Sequence, residues 1–406
     1  MLNKKKIVND PVYGFINIQY EIIFDLLSHP WFQRLRNIKQ CAMTHLVYPG
    51  AMHTRFQHAL GATHLISLAI ETLRSKGHEI TEEEAEAVTI AILLHDIGHG
   101  PFSHALENCI IEDVHHETIS ALIMDKLNKE FNGRLTLAID IFNDRYSKKF
   151  LHQLVSSQLD LDRMDYLNRD SFFTGVSEGV ISYDRILKML NVANDRIVVE
   201  EKGVYSVEKF IIARRLMYWQ VYLHKTVIAG ETMLFKILKR AKELALNGVE
   251  LFTTPSFRLF LYNRIAHERF LSDEKYLQEF VKLDDHDINA CIKIWADHED
   301  KILSYLCKSL INRKLYRVEI QKEPIGKTRI EEIKRQVKQH FGINDDEVHY
   351  FVFSDLISNS AYKKVDRIEI LRKDGSVIDL TEASDNFNIE ALAKTVEKYY
   401  LCSVKI

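Results

Sequence analysis

Apolar positions recur at helical spacing along most of this chain, and two helix starts are sharply marked. Thr54 followed by Gln57 forms a capping box for a helix running to about Ser75 and closed by Gly77. Thr81 followed by Glu84 opens a second helix, with Glu82, Glu83 and Glu84 at its positive end. That helix is apolar from Ala85 to Leu94 and ends on His95-Asp96. Residues 7 to 20 instead alternate around Asp10-Pro11 and Gly14, which predicts a short strand or hairpin. From about 21 to 310 the pattern reads as almost entirely helical. Beyond about 312 the texture changes. Leu315 to Ile320 and Val348 to Phe353 read as strands, and 328–340 as an amphipathic helix. Ile368 to Leu371 and Val377 to Leu380 flank Asp374-Gly375, a hairpin signal. The expected fold class is mainly α: a helical body over 1–310 with a small C-terminal α+β lobe over 311–406.

Composition narrows the function classes. The 406 residues suffice for one large core plus an appended lobe. A formal net charge of −3 gives no overall basic field to recruit nucleic acid, so any anion site has to be a local cluster. Cys41, Cys109, Cys291, Cys307 and Cys402 are scattered, odd in number and without a Cys-x-x-Cys, as reduced thiols of a cytoplasmic protein would be. No apolar run reaches membrane-spanning length, and the N-terminus lacks the apolar stretch of a signal peptide.

Candidate chemistry gathers at the end of the apolar helix, where His95-Asp96 leads into Ile97-Gly98-His99-Gly100-Pro101-Phe102-Ser103-His104. Adjacent imidazole and carboxylate with further histidines suit a divalent cation and phosphoester hydrolysis. Taken alone, the pair reads more readily as a helix end capping backbone groups. Adjacent residues cannot encircle a cation, so other elements have to contribute. On the helix beginning near Thr54, Arg55 and His58 share a face. Asp162, Tyr166 and Asp170 recur every four residues, one helical stripe that is costly to bury unless a cation or ligand uses it. The bland alternative is a solvated acidic face balanced by Arg163 and Arg169. His115-His116-Glu117 offers an imidazole with a carboxylate to orient it.

Several stretches together resemble the HD-domain phosphohydrolases, closest to the branch of sterile-alpha-motif and HD-domain deoxynucleoside triphosphate triphosphohydrolases with stand-alone bacterial relatives. They are Asn9 to Gly14, Phe32 to Gln40, Tyr48 to His58, His95 to His104, Asp162 to Tyr166 and Tyr222 to Lys225, in one order over about residues 7 to 230. The resemblance implies one divalent metal per subunit, of the manganese, iron, zinc, nickel or magnesium kind, held by His58, His95, Asp96 and Asp162. It implies hydrolysis of deoxynucleoside triphosphates to deoxynucleoside and triphosphate. His99, His104 and His116 would face the α-phosphate, with His116 the proton donor supported by Glu107 and Glu117. Arg55, Arg163, Arg214 and Lys225 would hold phosphates. Tyr166 would exclude a 2′-hydroxyl, Gln40 and Asp170 would bind the 3′-hydroxyl, and Tyr222 would lie beside sugar and base. Lys6, Gln33 and Arg36 would form a nucleotide activator site. Leu223 and Ser28 depart from the family, which has glutamine and aspartate there. A dimer or tetramer is implied, and no sterile-alpha-motif domain is expected ahead of the HD region.

Two alternatives stand beside this reading. One keeps HD chemistry on a nucleoside monophosphate, a cyclic nucleotide or an alarmone. The other is a non-catalytic module binding nucleotides or single-stranded nucleic acid through Lys334, Arg335, Lys338 and Tyr362-Lys363-Lys364, which overall charge does not support.

Overall fold

A computed structural model describes residues 6–106, 111, 113–359, 362, 366–385 and 394–406, with His104, Leu106 and Asn359 described by their backbone alone. Both capping boxes form. The Thr54 N–H donates to Gln57 Oε1 at 2.9 Å, opening the helix Arg55–Ser75, and the chain leaves through Gly77 at φ +89°. Thr81 and Glu84 exchange bonds of 2.9 and 3.1 Å to open the helix Glu82–Leu94. From Ala87 to Leu94 every residue is buried, so this stretch of the helix has no solvent face and His95-Asp96 emerges inside the protein.

The helix Leu161–Thr174 starts from Asp160, whose carboxylate accepts the Arg163 N–H at 2.7 Å, and stops at Gly175 with φ +73°. It packs against Arg55–Ser75 at Gly61. A β-carbon on Gly61 would run into Asp165 Oδ1 and Arg169 Nη2, so glycine is what lets the two helices approach over a buried ion pair.

The strands are β1 (Lys6–Asp10), β2 (Gly14–Ile18), β3 (Leu190–Ala193), β4 (Arg196–Glu200), β5 (Arg317–Gln321), β6 (Val352–Asn359), β7 (Glu369–Leu371), β8 (Val377–Asp379) and β9 (Val396–Ser403). β1 and β2 make the expected antiparallel hairpin. β7 and β8 make another around Gly375, at φ +84°. The helical expectation for 21–310 fails at β3 and β4. Asn194 and Asp195 turn there with φ of +51° and +59°, as a tight hairpin requires. β4 then pairs in parallel with β7, giving a sheet of order β3-β4-β7-β8 that joins the helical body to the C-terminal hairpin. β5, β9 and β6 form a second, antiparallel sheet with β9 central. The strand expected from Val348 begins only at Val352, because 348–350 make a 3₁₀ turn whose Tyr350 carbonyl accepts the Tyr316 hydroxyl at 2.6 Å. The architecture is mainly α. Among the described residues, no helix is long and apolar enough to cross a membrane.

Gly61→Ala is expected to destabilise the protein by about 2 kcal/mol or more, because the methyl displaces a buried ion pair rather than a flexible chain end. Chemical denaturation of the two proteins checks this, and an unchanged midpoint would refute the close approach.

Candidate active site

His58, His95, Asp96 and Asp162 come from three separate elements and converge. His58 Nε2 lies 3.1 Å from Asp162 Oδ1 and 3.5 Å from Asp96 Oδ2. His95 Nε2 lies 3.4 Å from Asp96 Oδ1 and 3.4 Å from Asp162 Oδ1. Neither Nε2 has a hydrogen-bond partner, although both are buried. Donors around a shared cation at about 2.1 Å stand about 3.0–3.5 Å apart, so His58, His95 and Asp162 fit one coordination shell, while Asp96 turns a different oxygen to each imidazole and also groups with His99 and His116.

The outward nitrogens explain why both Nε2 atoms point inward. His58 Nδ1 is 2.7 Å from Asp165 Oδ2, and His95 Nδ1 is 2.6 Å from the Ile92 carbonyl. Acceptors on Nδ1 put the proton there and leave Nε2 as the lone-pair donor a metal needs. Asp165 is held in turn by Arg169, through Nε at 2.9 Å and Nη2 at 3.0 Å. Arg169 Nη1 also donates to Asp10 at 2.8 Å. Arg169 is fully buried, so it is no partner of a solvated acidic face, as the bland reading of its helix would have it. Asp10, Asp165 and Arg169 are site residues that sequence reasoning did not single out. The available signal was the i,i+4 spacing of Asp165 and Arg169.

Electrostatics follow from this crowding. Burial alone would push the His58 imidazole down, but the adjacent carboxylates of Asp162 and Asp165 outweigh it and carry the ring up to about 10. Burial would raise the Asp96 carboxyl, yet Arg55, His95 and His99 hold it well below the usual range. His99 is pushed well below the ordinary imidazole range by burial and by Arg55. Arg55 is first of all a clamp on the centre, since it donates to Asp96 Oδ2 and, at 2.9 Å, to Ser103 Oγ.

A cavity of about 490 Å³ opens on this centre. Asp96, His99, His116 and Glu117 line it, as do Arg55 and Arg163, and so does the predicted stripe Asp162, Tyr166 and Asp170. Gln40, Tyr222 and Leu223 also line it. The His99 and His116 rings stack at 3.8 Å, and His116 Nδ1 is 3.5 Å from Glu117 Oε2. The Tyr222 hydroxyl donates to Asp170 Oδ2 at 2.5 Å. Arg214 and Lys225 do not line the cavity; Arg214 is buried beside Tyr218, and Lys225 is exposed at the start of the helix Lys225–Leu246. Glu231, on that helix, was not anticipated: it lines the cavity, and burial pushes its carboxyl up to about 7. Glu107 and the His104 side chain lie outside the described residues.

The expected activator residues engage their own chain. Lys6 Nζ sits 3.6 Å over the Phe24 ring, and the Arg36 guanidinium 3.6 Å over Phe56. Arg36 Nε donates to Gln33 Oε1 at 2.8 Å, Gln33 Nε2 to the Leu27 carbonyl, and the Ser28 hydroxyl to the Phe24 carbonyl.

Comparison with known proteins gives the family. The HD domain family matches residues 55–170, and the HD associated region matches 181–253. The protein YwfO of Bacillus subtilis is 37% identical over 320 residues, 78% of this chain and 72% of that one. A crystal structure of a phosphohydrolase from Bacteroides thetaiotaomicron superposes with a TM-score of 0.96 at 55% identity, covering 99% of this chain and all of that one. The deoxynucleoside triphosphate triphosphohydrolase SAMHD1 homolog of Dictyostelium discoideum is 32% identical over 251 residues, 57% of this chain and 48% of that protein. The chain belongs to the HD-domain phosphohydrolases, a metal-dependent hydrolase family.

His95→Ala or Asp96→Ala should abolish bound metal in elemental analysis while leaving the fold intact by circular dichroism. Because the metal-free His58 ring is carried up to about 10, a metal has to displace a proton at neutral pH. Metal affinity is therefore expected to climb as pH rises, with protons released on binding. Calorimetry in buffers of different ionisation heat measures it, and a pH-independent affinity would contradict the assignment.

Proposed function

We propose that this protein hydrolyses deoxynucleoside triphosphates to deoxynucleoside and inorganic triphosphate, by attack at the α-phosphorus. The observation that carries the reading is one cavity lined jointly by two candidate metal-ligand carboxylates, two stacked imidazoles, two guanidiniums and a carboxylate–phenol pair. A divalent cation bound by His58, His95, Asp96 and Asp162 would polarise a phosphate oxygen and make a bound water more acidic.

The remaining work falls to side chains. His116 protonates the departing 5′ oxygen, oriented by Glu117 and by its stacking on His99. His104 and Glu107 are assigned to the same group by resemblance to the family. Arg163 binds the phosphates, with Arg55 contributing beside its clamp on Asp96, and Arg214 and Lys225 adding positive charge from outside the cavity lining. Tyr166 closes the cavity against a 2′-hydroxyl, and Tyr222 packs beside sugar and base. Gln40 and Asp170 take the 3′-hydroxyl. The buried Gln40 Oε1 has no hydrogen-bond partner, which is the state of an acceptor awaiting a donor from a ligand. We further propose one metal per subunit, a cytoplasmic location, assembly as a dimer or tetramer, an activator site at Lys6, Gln33 and Arg36, and the division into a catalytic body over 1–310 and a lobe over 311–406.

A panel of metal-loaded reactions with product identification tests the reading. Inorganic triphosphate released from deoxynucleotides supports it. Orthophosphate or pyrophosphate, or turnover confined to monophosphates, cyclic nucleotides or alarmones, assigns a different reaction. His116→Ala is expected to slow turnover by about a hundredfold to ten-thousandfold with metal content unchanged.

A further inference from the structure

His53 has no part in the centre described above, yet it is among the most completely enclosed polar side chains in the protein, its side chain 0% exposed. It stands one residue ahead of Thr54, the cap of the Arg55–Ser75 helix. Its Nε2 lies 2.7 Å from Asp170 Oδ1, and its Nδ1 has no hydrogen-bond partner. The ring proton therefore belongs on Nε2, where it is donated to the carboxylate. On Nδ1 it would leave a buried N–H unpaired. The ring is stacked on Phe173 at 4.6 Å and 16°, which fixes its plane.

The Cys41 thiol also approaches His53, with Sγ 3.8 Å from Nε2. Cysteine, histidine and aspartate in contact invite the reading of a nucleophile relay. A relay uses the two ring nitrogens in series, one for the thiol and one for the carboxylate. Here thiol and carboxylate meet the same nitrogen. The Cys41 thiol is moreover pushed up by burial and by Asp170, away from the reactive thiolate. The polar bond left to the ring is the one to Asp170.

The backbone of the same residue performs a second task. The His53 carbonyl accepts the Gln40 N–H at 3.0 Å, next to the bridge between Lys39 and Thr54. One residue thus holds Gln40 by its main chain and Asp170 by its side chain, across two segments that line the cavity. With Tyr222 on Asp170 Oδ2 and His53 on Oδ1, both carboxylate oxygens are oriented and each retains acceptor capacity.

We propose that His53 is a positioning residue that sets the Gln40–Asp170 pair to grip a single hydroxyl of the substrate sugar. This rests on the reading of Gln40 and Asp170 given under the proposed function. His53 acts through Asp170, so its effect depends on the hydroxyl that Asp170 holds.

The test compares a deoxynucleoside triphosphate with its 2′,3′-dideoxy counterpart, the latter followed as substrate or, where turnover is slow, as competitor. His53→Phe keeps a ring on Phe173 and removes the donor. His53→Gln keeps an N–H near the position of Nε2. His53→Phe is expected to lower kcat/KM for the deoxynucleotide by about 10- to 100-fold, the effect of losing a hydrogen bond to a buried charged group. For the dideoxy compound its effect should be about threefold or less, because no hydroxyl remains to be gripped. His53→Gln should recover most of the loss. Equal losses on both substrates, or no loss on either, would overturn the assignment, since a purely structural role lowers both alike. Should His53→Phe fail to melt cooperatively, the same comparison is made with His53→Leu, which also lacks the donor: a loss confined to the deoxynucleotide supports the proposal, and an equal or absent loss overturns it. Wild-type protein that acts on neither nucleotide overturns the proposed function and this inference together, whereas wild-type turnover with equal losses overturns only the role of His53.

Discussion

The interaction on which the site depends is a line of charge buried beneath it: Asp10, Arg169, Asp165 and His58, each in contact with the next at 2.7–2.9 Å. Two carboxylates face one guanidinium, so the line is short of one positive charge. In the metal-free protein a proton on His58 supplies that charge, favoured by Asp162 on one side of the ring and Asp165 on the other. A divalent cation at Nε2 answers the same electrostatic demand from the other side of the ring. The buried ions are thus matched to a metal centre, and the stability they add or cost is secondary to the orientation they impose. Gly61 is the backbone counterpart, leaving room for the pair where the two helices meet.

The rim of the cavity is held from further away. After His95-Asp96 the chain turns through Phe102 and Ser103, both at φ above +50°, a costly conformation for residues with side chains. Asp285 accepts the Phe102 N–H at 2.7 Å and the Lys39 N–H at 3.1 Å, and Ser103 Oγ bridges Arg55 to the Lys39 carbonyl. The buried guanidinium of Arg34 spans the Ile97, His99 and Leu283 carbonyls. Residues near 34–39 and 283–285, remote in sequence from the HD motif, therefore hold the strained turn that presents Ser103 and, through it, Arg55. Packing around the site over-determines its geometry, as preorganised chemistry requires.

Much of this was legible before any coordinates. The capping boxes at Thr54 and Thr81 are local hydrogen-bond chemistry, and they form where the residues call for them. The stripe of Asp162, Tyr166 and Asp170 follows from helical periodicity, and all three line the cavity. His95-Asp96 is a buried end because the last two turns of the helix before it have no polar face. Less legible were β3 and β4. Their partner β7 lies about 170 residues further on, and short strands show no periodicity strong enough to stand against a helical neighbourhood.

What the sequence by itself determined is the set of helices, their starts, and which faces carry imidazoles and carboxylates, because these depend on contacts within a turn or two of chain. Only the tertiary structure decided that Arg169 is buried between two aspartates, that Arg55 clamps Asp96, that His53 serves Asp170, and that Glu231 reaches the cavity. Apart from the Arg169–Asp165 pair within one helix, each of these is a contact between segments tens to more than a hundred residues apart. A charged side chain carries no local mark of whether it will meet water or a buried partner. That is settled by how helices cross, and crossing is a property of the assembled core.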